Sequence, residues 1–431
     1  MIQTLRNAWR IPELRKKILF TMFILLIYRF GAAIPVPFLN TEALSAAFDA
    51  VGGSGSGNGL FGLFDMMSGG ALKHGTIFAL SIQPYINASI IMQLLTVGIP
   101  ALERLQKEGG EDGRKKIASI TRYATVGLGI IQGFAYYMML RNTYTGSLLN
   151  YNALLQAVVI IATFTAGTAL IMWLGEQITE FGIGNGISII LFASIVSRIV
   201  DLPTSIIEMF QKKEYFLVLL MGAAFLAIIA LVVFISNAER RIPVQYAKRV
   251  VGRKMYGGQS THLPMKVNMS GVMPIIFAQA IASFPATIAM FFPKSGFATF
   301  MQNNFSQTKV IYMVIYFLLI IAFAYFYQSI QFNPIEISNN LKQNGGFVPG
   351  FRPGRPTSDF IKRVLNKITL FGAIFLGFIA ILPLVMANFS NSLSGMALGG
   401  TSILIIVGVA LETMRQLESQ MMMRHYKGFL E

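Results

Sequence analysis

The sequence contains no cysteine and only three histidines, and these absences exclude several kinds of chemistry. Without cysteine, neither a disulfide framework nor a thiolate metal site can form. His74, His262 and His425 lie in three separate polar segments, and none belongs to an H-E-x-x-H zinc motif. The chain also lacks the G-x-x-x-x-G-K-S/T loop that binds nucleotide phosphates. We therefore expect no metal, no cofactor and no catalytic centre.

Charged residues are also scarce, at 13% of 431 residues, whereas 54% are hydrophobic. That composition does not describe a water-soluble fold. Ten apolar segments approach the roughly 20 residues that a helix needs to cross a bilayer, and the alternation of a barrel strand is absent. We predict an all-α integral membrane protein with ten transmembrane helices. The predicted helices lie at 18–36, 76–99, 117–140, 153–174, 185–200, 215–236, 270–291, 310–329, 368–387 and 399–413.

Most of the 35 Lys and Arg residues lie in alternate gaps between these apolar segments. Because positive charge resists translocation, the side of the membrane that carries the basic segments is cytoplasmic. Both ends of the chain fall on that side, so we predict a multi-pass protein with cytoplasmic termini. The net charge of +16 exceeds what topology requires, and the excess lies in two large loops, 237–269 and 331–367.

The external segment 201–214 divides the ten predicted helices into two halves, residues 1–200 and residues 215–431. Each half contains five helices, and because five is odd the halves cross the membrane in opposite directions. This is the arrangement of inverted repeats, in which the working site lies between the halves near the midplane. We therefore predict two inverted five-helix halves around a central site, with 201–214 as the hinge.

Residues 60–72 are apolar but too short to cross a bilayer. They follow a tract, Gly52–Gly59, that contains only Gly, Ser and Asn and is expected to be flexible. A short apolar helix on such a tether must cover its apolar face. It either lies on the membrane surface or re-enters the protein and fills a cavity, and its residues leave both arrangements open.

Proline interrupts the second, seventh and ninth apolar segments, at Pro84, Pro274, Pro285 and Pro383. Proline inside a helix removes a backbone hydrogen bond and kinks the helix, so the pattern suggests bends at these positions. The glycine-rich segment Gly182–Gly186 does not match a dinucleotide-binding motif, and it predicts a tight cytoplasmic turn that leads into a helix.

Ionisable residues are almost missing from the predicted spans, with Arg29 as the main exception. Coupled transporters usually keep a buried Asp, Glu, Lys or His that carries the ion or proton. An ion-coupled transporter is therefore disfavoured. A solute transporter built from inverted repeats remains the alternative to a channel, and a membrane-embedded enzyme is a poorly supported third hypothesis.

The two large basic loops alternate Arg with aromatic and apolar residues and carry their charge out to the loop tips. Topology needs only a few basic residues close to the membrane, whereas Arg beside aromatic residues provides both cations and stacking surfaces. Pro and Gly in Phe347–Pro356 stiffen the second loop and oppose helix formation. We predict a docking surface for an anionic partner. Its basic residues are Arg240, Arg241, Lys248, Arg249, Arg253, Lys254, Arg352 and Arg355.

Two long motifs, Phe78–Ile90 and Met172–Glu180 with its continuation Gly184–Ser188, resemble signatures of the SecY family of bacterial protein-translocation channels. The resemblance extends along essentially the whole chain. Further matching segments are 247–249, 259–264, 266–268, Phe347–Gly354 and Gly399–Ser402. The resemblance implies an hourglass channel for unfolded polypeptide inside one ten-helix subunit in the bacterial cytoplasmic membrane.

Within that channel, the resemblance implies a ring of apolar side chains at the narrowest point. Leu191 stands where some relatives have Ile, which preserves bulk and apolar character. The matching ring residues are Ile82, Ile86, Ile187, Leu191, Ile276 and Ile405. The resemblance also identifies 60–72 as a re-entrant plug helix that fills the external funnel at rest. Its apolar residues are Leu60, Phe61, Leu63, Phe64, Met66, Met67 and Leu72.

The resemblance further implies a lateral gate between the second and third helices on one side and the seventh and eighth on the other. Asn87 and Phe284 match positions that face this seam. Through it, signal peptides and nascent membrane helices leave for the lipid, while secretory preproteins pass across the membrane. The implied partners are the SecE and SecG subunits, the motor ATPase SecA and the ribosome. Both SecA and the ribosome would dock on the basic loops, with Arg352 the position on which motor-driven transport depends most.

Overall fold

The computed structural model describes residues 2–51, 65, 68–142, 152–197, 215–246, 249–251, 254–256, 260–268, 271–291, 295–305, 309–389 and 399–427. Helices dominate these residues, and each of the ten predicted apolar segments coincides with one of them. The helices are α1 (Ile2–Arg10), α2 (Pro12–Gly31), α3 (Thr41–Val51), α4 (Gln83–Gly98), α5 (Pro100–Lys107), α6 (Gly110–Asn142), α7 (Ala153–Phe181), α8 (Gly186–Ser197), α9 (Tyr215–Asn237), α10 (Met273–Phe291), α11 (Gly296–Asn304), α12 (Val310–Gln331), α13 (Pro334–Gln343), α14 (Arg355–Phe389) and α15 (Gly399–Lys427). The strands are β1 (Glu239–Tyr246), β2 (Arg249–Val251), β3 (Lys254–Tyr256), β4 (Ser260–Lys266) and β5 (Gly346–Phe347).

Within the described residues, four helical stretches are long and apolar enough to cross a membrane by length and composition. They are Gly110–Arg141, Ala153–Phe181, Val310–Gln343 and Arg355–Leu382. Helices α4 and α5 meet at a bend of 103° and together would provide a fifth span. Shorter apolar helices lie at Gly186–Ser197, Phe225–Asn237 and Met273–Pro285. By length and composition the described residues thus contain four or five spans, and the count of ten spans stays a prediction.

The outer faces of the helices expose large apolar side chains. Phe30 is 69% exposed, Leu219 is 72% exposed and Phe234 is 73% exposed. A soluble protein rarely exposes apolar surface on this scale, because the surface would associate or aggregate in water. The exposed faces are those expected of helices that are surrounded by lipid.

The largest apolar core lies at the centre of the bundle and draws residues from helices before and after residues 198–214. Helix α10 packs against α4 and α6, while α15 packs against α8. Helix α1 packs against α2 and α15, and the Thr4 hydroxyl lies 3.2 Å from Glu418 Oε1. The helix at the start of the chain and the last turns of α15 therefore lie together on one side. The predicted hinge 201–214 and the tract Gly52–Gly59 lie outside the described residues.

Two of the four prolines lie in the first turn of a helix and do not interrupt it, contrary to the prediction. Pro84 and Pro274 are each the second residue of their helix, α4 and α10. The first turn of a helix has no intrahelical partner for the N–H that proline lacks, and the fixed φ of proline suits that position. The expected kinks at these two positions were therefore wrong. Pro285, by contrast, does lie inside α10.

The two basic loops contain strands, which is a departure from the all-α prediction. Strand β1 lies between β4 and β5 in an antiparallel sheet, with Ile242 opposite Leu263. Ile242 and Val244 are buried while their neighbours are exposed, which is the period of two that a half-buried strand shows. This sheet, α13 and the first turns of α14 form what we call the sheet subdomain. Its core contains Ile361 and Leu365.

Candidate functional site: a constriction below a polar vestibule

The six predicted ring residues meet in the central apolar core. Ile82 immediately precedes α4, which contains Ile86, while Ile187 and Leu191 lie on α8. The other two come from α10 and α15. Five of the six are no more than 2% exposed, and Ile187 is half-buried against the same cluster. The structure thus brings together side chains from four separate parts of the sequence. We call this cluster the constriction.

The glycine-rich turn before α8 positions the constriction residue Ile187. Gly184 has a φ of +80°, and the Asn185 side chain accepts hydrogen bonds from the backbone N–H groups of Ile187 and Ser188 at 3.1 and 3.4 Å. These bonds satisfy amide groups that the first turn of a helix leaves without partners. A Cβ on Gly186 would overlap the carbonyl oxygen of Gly175, so glycine permits α7 and α8 to approach closely. The predicted turn into a helix is confirmed.

A cavity of about 600 Å³ opens next to the constriction, on the side of the bundle that carries the sheet subdomain. We call it the vestibule. Ile86, Ile187 and Ile276 line it where it meets the constriction, and the rest of its wall mixes apolar with polar and charged residues. The polar and charged lining residues include Gln93, Lys266, Gln331, Glu412, Arg415 and Gln416. A cavity that carries polar and charged groups therefore borders a cluster of buried aliphatic side chains.

The carboxyl end of α9 holds one of the charged side chains of the vestibule. Nη2 of Arg415 donates to the carbonyl of Ser236. The same atom donates to Oδ1 of Asn237 at 2.8 Å. This cation at the carboxyl end of α9 satisfies a carbonyl and interacts favourably with the helix dipole. Partial burial lowers the pKa of Lys266, and the nearby positive charge of Arg415 lowers this pKa further. The vestibule wall thus combines the ionisable side chains of Arg415, Lys266 and Glu412 with amide and hydroxyl groups.

At the seam predicted as a lateral gate, α4 and α10 pack against each other, and a hydrogen bond joins α4 to α12. Asn87 on α4 is half-buried and Phe284 on α10 is 43% exposed, and these two helices contact each other. The Tyr327 hydroxyl of α12 donates to Gln93 Oε1 of α4 at 2.9 Å. Sequence reasoning missed this pair, although a Gln inside the apolar run of α4 is an available signal.

Of the predicted plug, Leu60, Phe61, Leu63, Phe64, Met66 and Met67 lie outside the described residues. Leu72 is buried in a second apolar cluster with Tyr136 and Phe164. The Tyr136 hydroxyl donates to the carbonyl of Leu72 at 2.8 Å, and Asp65 Oδ1 accepts from the backbone N–H of Lys73 at 2.8 Å. The carboxyl end of the predicted segment is therefore attached to the bundle.

Of the predicted docking residues, Arg240, Arg241 and Arg355 lie on the sheet subdomain, which joins the two basic loops. Arg240 and Arg241 are exposed on β1, and Arg241 Nε lies 2.7 Å from Glu239 Oε1. Arg355 is exposed at the start of α14, while Arg249 and Lys254 belong to β2 and β3. Two further residues, Lys248 and Arg253, lie outside the described residues.

Arg352 is exposed on a loop with a well-defined backbone. Gly350 and Gly354 adopt φ of +87° and +100° on either side of it. The Arg352 carbonyl accepts from the Thr357 hydroxyl at 2.7 Å, and the Gly354 carbonyl accepts from the Ser338 hydroxyl at 2.6 Å. These contacts fix the backbone that presents the guanidinium to solvent. Across the described part of the chain, no group of three His, Asp or Glu residues could hold a metal ion.

These features define a class of protein, a multi-pass helical membrane protein with an apolar constriction at its centre. The family model described as SecY matches residues 76–414. The chain is 46% identical to the protein translocase subunit SecY of Streptomyces coelicolor and 45% identical to that of Bacillus subtilis, with complete coverage of both chains in each case. The chain therefore belongs to the SecY family, whose members are translocase subunits and not enzymes.

Two solved structures have a fold similar to that of this chain. A structure described as a protein-conducting channel matches with a TM-score of 0.65 and 16% identity, covering 94% of this chain and 92% of the other. Sec61 in a canine ribosome–channel complex from the endoplasmic reticulum matches with a TM-score of 0.62, 16% identity and the same coverage. At these identities the matches support the architecture.

Proposed function

We propose that this chain is the protein-conducting channel subunit of a bacterial translocase. It passes unfolded secretory polypeptides across the cytoplasmic membrane and releases membrane-protein helices laterally into lipid. The observation that carries the proposal is the convergence of Ile82, Ile86, Ile187, Leu191, Ile276 and Ile405 at the end of the vestibule, in a chain of the SecY family. A polypeptide would enter the vestibule and cross the membrane through the constriction.

The constriction provides a seal that does not select a sequence. A narrow plane of aliphatic side chains expels water when it is empty, and without water an ion meets a high barrier. Flexible aliphatic side chains also close around a passing chain without recognising particular residues. The carboxyl end of segment 60–72 is held through Leu72, so the remainder of the plug would move about that attachment.

The seam between α4 and α10 would provide the lateral exit. A sufficiently apolar segment in the constriction gains free energy by moving into lipid, since Leu, Ile, Phe and Val favour the bilayer centre by about 0.3–0.6 kcal/mol each. Asn87 and Phe284 would line that route. The seam is held by apolar packing and by the hydrogen bond between Tyr327 and Gln93, which suits a contact that opens and closes.

The energy for transport would come from a docked partner, because the sequence has no nucleotide-binding loop. Arg240, Arg241, Arg352 and Arg355 form an exposed basic surface that suits acidic protein or ribosomal RNA. We propose SecA and the ribosome as the partners at this surface, and SecE and SecG as the subunits that accompany the channel. The membrane is the bacterial inner membrane, with ten spans in two inverted halves and both termini in the cytoplasm.

The proposal is tested by reconstituting the purified channel complex into vesicles and measuring both export and ion conductance. Replacing Ile86 and Ile276 together with Gly is expected to raise resting conductance, because the plane of side chains loses two members. Replacing Leu318 and Phe378, exposed side chains on α12 and α14, with Ala is the matched control and is expected to leave conductance unchanged. Vesicles that stay tight with the Gly variant refute the constriction as the seal, and failure of the unaltered complex to export a preprotein refutes the function.

A further inference from the structure

A buried tyrosine connects two of the elements that carry constriction residues, although it is not part of the constriction. Tyr28 lies on α2 and is 2% exposed. Its hydroxyl oxygen lies 2.7 Å from Oγ of Ser194, on α8. The Ser81 side chain, in the turn before α4, is a further polar neighbour of this hydroxyl. Helix α2 contributes none of the six constriction residues, so Tyr28 acts on them from outside.

Ser81 is in a backbone conformation that needs support. Its φ is +52°, which places a residue with a side chain in the left-handed region. Ser81 immediately precedes Ile82, so its conformation sets the direction in which the chain enters the constriction. The Ser81 amide donates to the carbonyl of Phe78 at 2.8 Å, which closes the turn. Strained residues persist only where surrounding contacts determine them, and the Tyr28 hydroxyl is one such contact.

On the other side, Ser194 lies three residues after Leu191 and therefore one turn further along the same face of α8. The Ser194 hydroxyl donates to the carbonyl of Ile190 at 2.9 Å. Because that hydroxyl has one proton, the Tyr28 hydroxyl is the donor to Ser194 Oγ. The Tyr28 hydroxyl thus lies between the polar side chain of the Ser81 turn and α8.

The ring of Tyr28 is fixed as well as its hydroxyl. The rings of Tyr28 and Phe78 are stacked, with centroids 5.6 Å apart and planes 6° apart. A Cβ on Gly31 would overlap the Phe78 ring, so glycine on α2 admits the ring that supports Tyr28. Removing only the hydroxyl should leave this packing intact.

We propose that Tyr28 is a positioning residue of the constriction, which sets the separation of Ile82 and Leu191 through Ser81 and Ser194. The inference rests on the proposed role of the constriction as the seal. Without the hydroxyl, α8 loses its hydrogen bond to Tyr28, and the Ser81 turn loses a polar neighbour. Conformations in which Ile82 and Leu191 are further apart then become more populated. The expected consequence is a channel that leaks ions at rest while it still folds and exports.

The test compares Tyr28→Phe with Tyr316→Phe in the reconstituted complex. Tyr316 is also almost fully buried, at 1%, but among the described residues its hydroxyl has no hydrogen-bond partner. Tyr28→Phe is expected to raise resting conductance about five-fold, the effect of one net hydrogen bond, and Tyr316→Phe is expected to leave it unchanged. Ser194→Ala should raise conductance similarly. The double variant Tyr28→Phe with Ser194→Ala should leak no more than either single variant, because both remove the same link.

Ile82→Gly, measured in parallel, separates this inference from the function on which it rests. If Ile82→Gly leaks and Tyr28→Phe does not, the positioning role is wrong and the constriction stands. If Ile82→Gly does not leak, the constriction is not the seal and the role of Tyr28 falls with it. Equal leaks from the two tyrosine variants, or a lower unfolding temperature of Tyr28→Phe without added conductance, would show that Tyr28 contributes only to packing.

Discussion

The hydrogen bond between Tyr327 and Gln93 makes the closure of the seam testable. It joins α12 to α4 at 2.9 Å, and the Tyr327 ring also packs against Phe277 of α10 with centroids 5.2 Å apart. Opening the seam would separate α4 from α10 and strain or break the bond. Tyr327→Phe removes the hydroxyl but keeps the ring, so it should weaken the closed state without creating a cavity.

The size of the effect follows from the bond. An intramolecular hydrogen bond contributes about 1 kcal/mol net, and leaving Gln93 Oε1 without its donor adds a further penalty in the closed state. Since 1.4 kcal/mol is a factor of ten, the ratio of open to closed seams should rise at least about five-fold. Because the chain has no cysteine, Asn87→Cys and Phe284→Cys supply the only two thiols. Crosslinking of this pair by a short bifunctional reagent should fall in the Tyr327→Phe background.

A functional assay complements the crosslink. A preprotein with a weakened signal peptide needs a seam that opens easily, so its export should increase in Tyr327→Phe vesicles. Tyr316→Phe, on the same helix, is the control for loss of a buried hydroxyl and should change neither measurement. If Tyr327→Phe leaves both the crosslink yield and the export of the weakened preprotein at the unaltered level, the bond does not hold the seam closed.

Three other predictions concern the docking surface, the plug and the packing of α8. Arg352→Glu should abolish motor-driven export by reconstituted vesicles while the chain still inserts into the membrane. Lys342→Glu, which changes another exposed basic residue of the sheet subdomain, should leave export normal. Normal export by the Arg352→Glu variant would disprove motor docking at Arg352. Deleting 60–72 should raise resting conductance and preserve export, and unchanged conductance would count against the plug. Gly186→Ala should destabilise the protein by about 1–3 kcal/mol in thermal unfolding, because its Cβ would overlap Gly175. Gly222→Ala is its control, since in the described part of the chain no atom lies within 4 Å of that added Cβ, and equal stability of the two variants would contradict the packing argument.

The helices could be located from the sequence because each apolar segment carries its own signal. All ten predicted segments coincide with helices, and the errors concern their ends. Helix α14 begins at Arg355, whereas the apolar pattern begins at 368. Hydropathy detects only the part of a helix that suits lipid, and the polar turns that precede it are helical because they pack in the sheet subdomain.

The sheet and the polar contacts could not be located in the same way, because they join distant residues. Strand β5 pairs with β1 across about a hundred residues, and the alternation of Ile242 and Val244 is hidden among the basic residues from which a docking loop was predicted. The partners Tyr28 and Ser194 lie 166 residues apart, and Gln93 and Tyr327 lie 234 residues apart. No local pattern encodes such pairs. The constriction residues, as Ile and Leu in apolar helices, were identifiable only through the family resemblance.

The continuity of α14 indicates how a partner docked on the basic surface could act on the channel. This helix has 35 residues and is about 52 Å long at 1.5 Å per residue. Ile361 and Leu365 belong to the core of the sheet subdomain, whereas Leu376 and Ile379 belong to the central core of the bundle. One helix is therefore packed into both cores, and Arg352 lies directly before it.

A second covalent connection runs through β4. This strand leads through residues 267–272 into α10, and the carbonyl of Val267 lies so close to α14 that a Cβ on Gly372 would overlap it. Helix α10 contributes Ile276 to the constriction and Phe284 to the seam. A displacement of the sheet subdomain would thus reach the constriction and the seam through one helix. A partner docked on the basic surface would therefore not need to contact the constriction to act on it, because the sheet subdomain and α10 are joined through β4 and through the packing of Val267 against α14.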